Sequence, residues 1–212
     1  MCFSSYPRIW SILFALLAIP AWAQDSLSEG RAIYESCIVC HGAKGEGNNA
    51  VNAPALAGQS SGYIARQLSH FKSGIRGAEP GDIFGKQMRL MTAVLADDQA
   101  IAIVADYIAS LPVSVVEIIA EGDLRNGNNI YQGNCGSCHG GRGQGNAALH
   151  SPRLAGLNRE YIIRQYRNFQ QGLRGSHPDD RFGKQMKMMA ASLSTENDLH
   201  DVIAYIHAQT QQ

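Results

Sequence analysis

Neither sign of charge is in excess in this chain. It carries 18 Lys+Arg against 18 Asp+Glu in 212 residues, which argues against a nucleic-acid partner or an anionic membrane as its binding surface. No apolar run beyond residue 20 is long enough to span a bilayer. No stretch alternates apolar and polar residues like a half-buried strand, so the expected class is all-α. Cysteine is scarce, at five thiols, and their placement leaves none for a disulfide framework.

The N-terminus reads as a leader. Arg8 gives a sparse positive start, residues 9–20 are largely apolar, and Ala21-Trp22-Ala23 offers a small-x-small cleavage site before Gln24. Residues 1–23 are therefore expected to be a cleaved secretory signal peptide, too short and wrongly flanked for a spanning helix. An uncleaved membrane anchor is the alternative. Cleavage removes Cys2 and delivers the mature chain, residues 24–212, to the periplasm. That compartment is oxidising and spare thiols there tend to pair, yet the four remaining cysteines all fall in two short motifs.

Those motifs are Cys37-Ile38-Val39-Cys40-His41 and Cys135-Gly136-Ser137-Cys138-His139, placed 98 residues apart. The pattern C-x-x-C-H is a c-type haem attachment site. Two thiols three positions apart on a helical turn share a face and can add to the two vinyl groups of one haem. The adjoining imidazole, His41 or His139, then reaches the iron. A structural zinc site does not suit, because the pairs lie far apart and each carries an adjoining histidine. Two haem c groups are expected, one per motif.

The rest of the chain repeats with the motifs. At an offset of 98, 33 of the 72 residues in 37–108 match their counterparts, so the chain is two copies of one small, cofactor-supported domain. Gly30-Arg31-Ala32-Ile33-Tyr34 returns as Gly127-Asn128-Asn129-Ile130-Tyr131 at an offset of 97, which puts one extra residue before Cys135. The expected organisation is a first domain at 24–112, a linker at 113–120 after Pro112 stops a helix, and a second domain at 121–212. Each copy is expected to hold three main helices. In the first copy one runs over 27–39 into the haem motif. A second runs to Phe71 with Ser60 or Ser61 as N-cap and Ile64, Leu68 and Phe71 on one face. The last opens near Asp97-Asp98 and carries Ile101, Val104 and Ile108. Residues 42–58 and 74–87 read as loops.

Function turns on the other axial position of the iron. A methionine there closes the iron to substrates and raises its potential. Each copy holds Phe-Gly-Lys-Gln-Met, ending 47 residues after its haem histidine, so Met88 and Met186 are the candidates. Met91 and Met189 also repeat and compete for the role. Methionine in an apolar run is usually packing, and these two are assigned to packing at the haem edge.

The two C-x-x-C-H motifs, Pro54-x-Leu56-Ala57-Gly58, Tyr63-Ile64-x-Arg66-Gln67 and the Met88…Leu95…Tyr107 ending together resemble the dihaem cytochromes c of the c4 type, tandem class I cytochrome c domains. The likeness covers both halves. It implies an axial methionine about seven residues before the leucine that opens the last helix, which favours Met88 (before Leu95) and Met186 (before Leu193). It implies that the carbonyls of Pro54 and Pro152 accept the proton of the haem histidine and fix its tautomer. It further implies domains packed about a pseudo-twofold axis with propionate sides facing, and one-electron relay as the activity.

Other residues carry weaker expectations. Arg76 and Arg174, with Arg66 and Arg164, are candidates for contacts to haem propionates, against the competing reading of a solvated helix face. Lys86 and Lys184 would meet solvent or an acidic patch on a partner. His70, His150, His177, His200 and His207 have no histidine counterpart in the other copy and are expected on the surface. Were His177 to displace Met186, that haem would fall in potential.

The functional expectation is a non-enzymatic periplasmic carrier. Its donor would be a quinol-oxidising complex or a dehydrogenase, and its acceptor a terminal oxidase or reductase. One alternative is a cytochrome subunit that accepts electrons within a periplasmic dehydrogenase. Another is a dihaem peroxidase, but that enzyme needs an open sixth site, and both copies keep Phe-Gly-Lys-Gln-Met. Peripheral association with a membrane is compatible with either carrier reading.

Overall fold

The computed structural model describes residues 21–113 and 121–209. Residues 1–20 of the expected signal peptide and 114–120 of the expected linker lie outside the described residues. Among the described residues there is no strand, only two isolated bridges, Asn48 with Ala53 and Asn146 with Ser151. No helix among them is long and apolar enough to cross a membrane.

The first domain runs α1 (Ala21–Tyr34), α2 (Ile38–His41), α3 (Ser61–Ser73), α4 (Ile83–Met91) and α5 (Asp98–Ser110). The second repeats it as α6 (Leu124–Asn134), α7 (Gly136–His139), α8 (Arg159–Gln170), α9 (Arg181–Met189) and α10 (Glu196–Ala208). Local signals start these helices. The Ser60 side chain accepts from Tyr63 N, Asp97 from Ala100 N and Asn158 from Tyr161 N, and Thr195 forms a capping box with Asp198.

Two elements depart from expectation. The helix foreseen over 27–39 is broken after Tyr34, and the haem motif forms its own turn, α2. Tyr34 is fully buried and its hydroxyl donates to Gly42 O at 2.8 Å. That bond requires the chain to fold back at once rather than continue straight. The loop foreseen over 74–87 becomes helical at Ile83, because Asp82 Oδ1 accepts from Gly85 N at 2.9 Å and caps α4. Asp180 caps α9 in the same way, from Gly183 N at 2.8 Å.

In the first domain α1 crosses α5, and in the second α6 crosses α10. Gly30 and Gly127 stand at these crossings. A Cβ would lie 2.6 Å from Tyr107 Cβ at the first and 1.9 Å from Asp201 O at the second. Tilted tyrosine pairs seal them, with ring centroids 5.5 Å apart for Tyr34 and Tyr107 and 5.2 Å for Tyr131 and Tyr205. Ile64, Leu95, Ile101, Val104 and Ile108 complete the first core, and Val202 and Ile206 the second. Each such side chain contributes about 1.5–3 kcal/mol on burial, but these clusters are small, and each domain also encloses a cavity.

The domains meet through α3 and α8, and their contacts are reciprocal. Arg76 donates from Nη1 to Gln67 Oε1 at 2.6 Å and from Nη2 across the boundary to Gln165 Oε1 at 2.8 Å. Arg174 returns the pattern, to Gln165 Oε1 at 2.8 Å and to Gln67 Oε1 at 2.9 Å. Such exchange, with each residue meeting its partner's counterpart, is the signature of a twofold interface. The symmetry lapses at Gln59, which bonds Arg153 O and Arg153 N at 2.8 and 3.0 Å, whereas its counterpart Leu157 is apolar.

Candidate haem sites

Each domain encloses a mostly apolar cavity. The first holds about 1400 Å³ of empty space, its mouth included, and is lined by Cys37, Cys40, His41, Pro54, Met88 and Met91. The second holds about 1450 Å³ and is lined by Cys135, Cys138, His139, Pro152, Met186 and Met189. The six residues named for each cavity, up to 54 positions apart in sequence, are thus gathered at one site in each copy.

The histidines are held in one orientation. His41 and His139 are buried, and each places Nδ1 2.9 Å from a proline carbonyl, Pro54 O and Pro152 O respectively. A carbonyl only accepts, so Nδ1 carries the proton and Nε2 keeps the lone pair a metal needs. Burial pushes both imidazoles below their ordinary pKa, which keeps them neutral and able to coordinate. The glycines at 42 and 140, with φ near 80°, turn the chain away directly after each histidine. Cys37 and Cys135 are half-buried while Cys40 and Cys138 are exposed, and none of the four is in a disulfide. Burial raises the Cys37 thiol, and raises that of Cys135 to about 11.

All four repeated methionines line the cavities, the half-buried Met88 and Met186 along with the more exposed Met91 and Met189. Met188 is 71% exposed and takes no part in the lining. His177 does not line either cavity and sits 3.8 Å from Asp179.

The arginines hold a result that sequence alone does not suggest. Arg76 lines the first cavity and Arg174 the second, each within its own domain. Arg164 lines the first cavity and Arg66 the second, each across the boundary. The Nε atoms of Arg66, Arg76 and Arg164 are buried without a hydrogen-bond partner. Cationic donors left unpaired beside an apolar cavity suit the carboxylates of a haem. The residues present therefore fit that cofactor.

Two surface expectations fail. His207 is buried, its Nε2 3.0 Å from Leu157 O, because α10 packs its last turn against the loop before α8. His70 has a side chain only 13% exposed and faces Asp180 of the other domain, since the end of α3 is covered by the partner half. His150 is exposed as foreseen but lines the second cavity, with its ring 4.5 Å from Phe182.

The Cytochrome c family profile matches residues 27–112 and 124–210. Cytochrome c4 of Azotobacter vinelandii is 32% identical over 88% of this chain and 90% of its own length. The chain belongs to the cytochrome c family and to its c4 type. The solved structure of reduced recombinant cytochrome c4 from Pseudomonas stutzeri superposes with a TM-score of 0.68 at 26% identity, covering 85% of this chain and 96% of that one. A thiosulfate dehydrogenase electron acceptor of Stutzerimonas stutzeri is 29% identical over 85% of each chain. This c4-type chain is accordingly an electron-transfer protein rather than an enzyme, built from two tandem cytochrome c domains. Cytochrome c domains imply covalent haem c, and cysteine pairs at 37/40 and 135/138 are consistent with two. Such a haem supplies a ferric–ferrous couple.

Proposed function

We propose that the chain is a periplasmic dihaem relay, passing single electrons from a respiratory donor to a terminal oxidase or reductase. In this reading Cys37, Cys40, Cys135 and Cys138 attach the haems, His41 and His139 bind iron on one side, and Met88 and Met186 bind it on the other. One observation carries it. Tyr63, Gln67, Leu157, Tyr161 and Gln165 line both cavities, so the two redox groups would share a wall one side chain thick. Rigid, neutral ligand histidines and filled axial positions keep reorganisation small when the electron moves.

A spectroscopic redox titration of the purified holoprotein tests this. Two haems per chain are expected, with the methionine-to-iron charge-transfer band from both in the ferric state. A high-spin or bis-histidine signal from either haem would overturn the methionine assignment. N-terminal sequencing of the periplasmic fraction should begin at Gln24.

The likeness to a thiosulfate dehydrogenase electron acceptor favours a second reading, in which the donor is a dehydrogenase bound permanently. Size exclusion of a native periplasmic extract separates the two, because a subunit would elute with its enzyme.

A further inference from the structure

Each cavity is lined by one arginine of its own domain and one of the other. We propose that the foreign arginine is a positioning residue for that haem: Arg164 binds a propionate of the haem attached to Cys37 and Cys40, and Arg66 binds one of the haem attached to Cys135 and Cys138. The assignment rests on the two-haem reading above.

The clamp on each guanidinium supports it. Arg164 Nη2 donates to Asn52 O at 2.8 Å, Nη1 reaches Asn52 Oδ1 at 3.3 Å, and the group lies 4.4 Å from the Phe84 ring centroid. Arg66 Nη2 donates to His150 O at 2.7 Å and lies 4.7 Å from the Phe182 centroid. Both side chains are thereby fixed on the opposite domain, yet both keep a buried Nε with no partner. Asn52 and His150, with φ of 58° and 57°, are the described non-glycine residues in the left-handed region, and theirs are the two carbonyls that accept. Non-glycine residues adopt that conformation rarely, and here it recurs at the two clamps. A solvated arginine needs neither a clamp nor a hidden donor. Beside a cavity of low polarity the donor calls for an anion, and the propionates are the anionic groups a haem brings. Arg76 also keeps a buried Nε without a partner, but it and Arg174 are held otherwise, by Nη bonds to the glutamines of both domains rather than by a clamp on the opposite domain's loop.

A fixed positive charge near the iron favours the ferrous state, so removing it lowers the potential. Arg164→Gln should therefore reduce the ferrous-to-ferric ratio of the first haem about threefold to tenfold at a set ambient potential, at most about 59 mV. It should leave the second haem unchanged. Arg66→Gln should do the reverse, and Arg164→Lys should restore most of the loss. Haem methyl resonances in the paramagnetic NMR spectrum identify each haem, by contacts to Val51 and Thr92 in the first cavity or Leu149 and Ser192 in the second. If both haems load but the shift falls on the arginine's own domain, on both haems equally or on neither, the crossed assignment is wrong while the relay stands. A count below two haems in the unmutated protein would overturn both.

Discussion

His70 Nδ1 lies 3.8 Å from Asp180 Oδ1 across the domain boundary, and at the symmetry-related place Asn168 Nδ2 donates to Asp82 Oδ1 at 3.2 Å. Both aspartates cap the helices that carry the candidate axial methionines. The two halves thus share one architecture, but a titratable group stands at one of these contacts and a neutral amide at the other.

That difference predicts an acid-sensitive interface. Burial pushes the His70 imidazole below its ordinary pKa; Asp180 opposes the shift, and Arg66, Arg174 and Arg76 add to it. Below about pH 6.5 the unfolded chain takes up a proton at His70 that the folded chain resists, so stability falls as pH falls. His207, lowered mainly by burial and further by Arg159, acts in the same direction. Urea denaturation of the holoprotein between pH 7.5 and about 5 should show declining midpoints. His70→Asn, which copies the Asn168 arrangement, should flatten part of that slope. An unchanged slope in this variant would remove His70 from the account.

Methionine choice is open to a direct comparison. Met88→Leu and Met186→Leu should each abolish the charge-transfer band of one haem and lower its potential, because the thioether favours ferrous iron. Met91→Leu and Met189→Leu keep volume and apolar character, and should leave both bands in place at a stability cost below about 1.5 kcal/mol. Ferric absorption spectra of the four variants decide it. A band lost with Met91 or Met189 would exchange the roles.

How much of this was legible in the sequence depends on how local each signal is. The haem motifs, the duplication and the caps at Ser60 and Asp97 are written within a few residues, and they could be read directly. The break after Tyr34 was not, because it depends on a hydroxyl reaching Gly42 O in the folded state. The helix α4 was hidden by Pro80 and the glycines around it, although Asp82 three residues before Gly85 was a usable cap signal. His70 and the crossed arginines could not be placed at all. Their partners lie 84 to 112 residues away in the other copy, and intradomain periodicity carries no information about which faces of two copies meet.

The shared glutamines give an interface prediction. Gln165 Oε1 accepts from both Arg76 and Arg174. Gln165→Leu keeps the volume but removes the acceptor, leaving the buried Arg76 and the half-buried Arg174 each short of one acceptor, at a cost of about 1–3 kcal/mol. Calorimetry should show a lower midpoint, with the single transition of coupled domains tending toward two. A variant as stable as the parent would mean that this network adds nothing to docking.

The helix crossings can be tested with a single methyl group. At Gly127 an added Cβ would stand 1.9 Å from the backbone oxygen of Asp201, and neither helix can yield by rotating a side chain. At Gly30 the clash is milder, 2.6 Å to Tyr107 Cβ and 2.8 Å to Ile103 O. Gly133, also in α6, would meet nothing within 4 Å. Overpacking of this kind costs about 1–3 kcal/mol, against a gain of up to about 1 kcal/mol in helix propensity for glycine to alanine. Gly127→Ala should therefore be clearly destabilised, Gly30→Ala less so, and Gly133→Ala neutral or stabilised. Urea midpoints of the three holoproteins supply the order. If Gly127→Ala proved as stable as Gly133→Ala, α6 and α10 could not cross as closely as described, and the second domain would need a different seat for Tyr131.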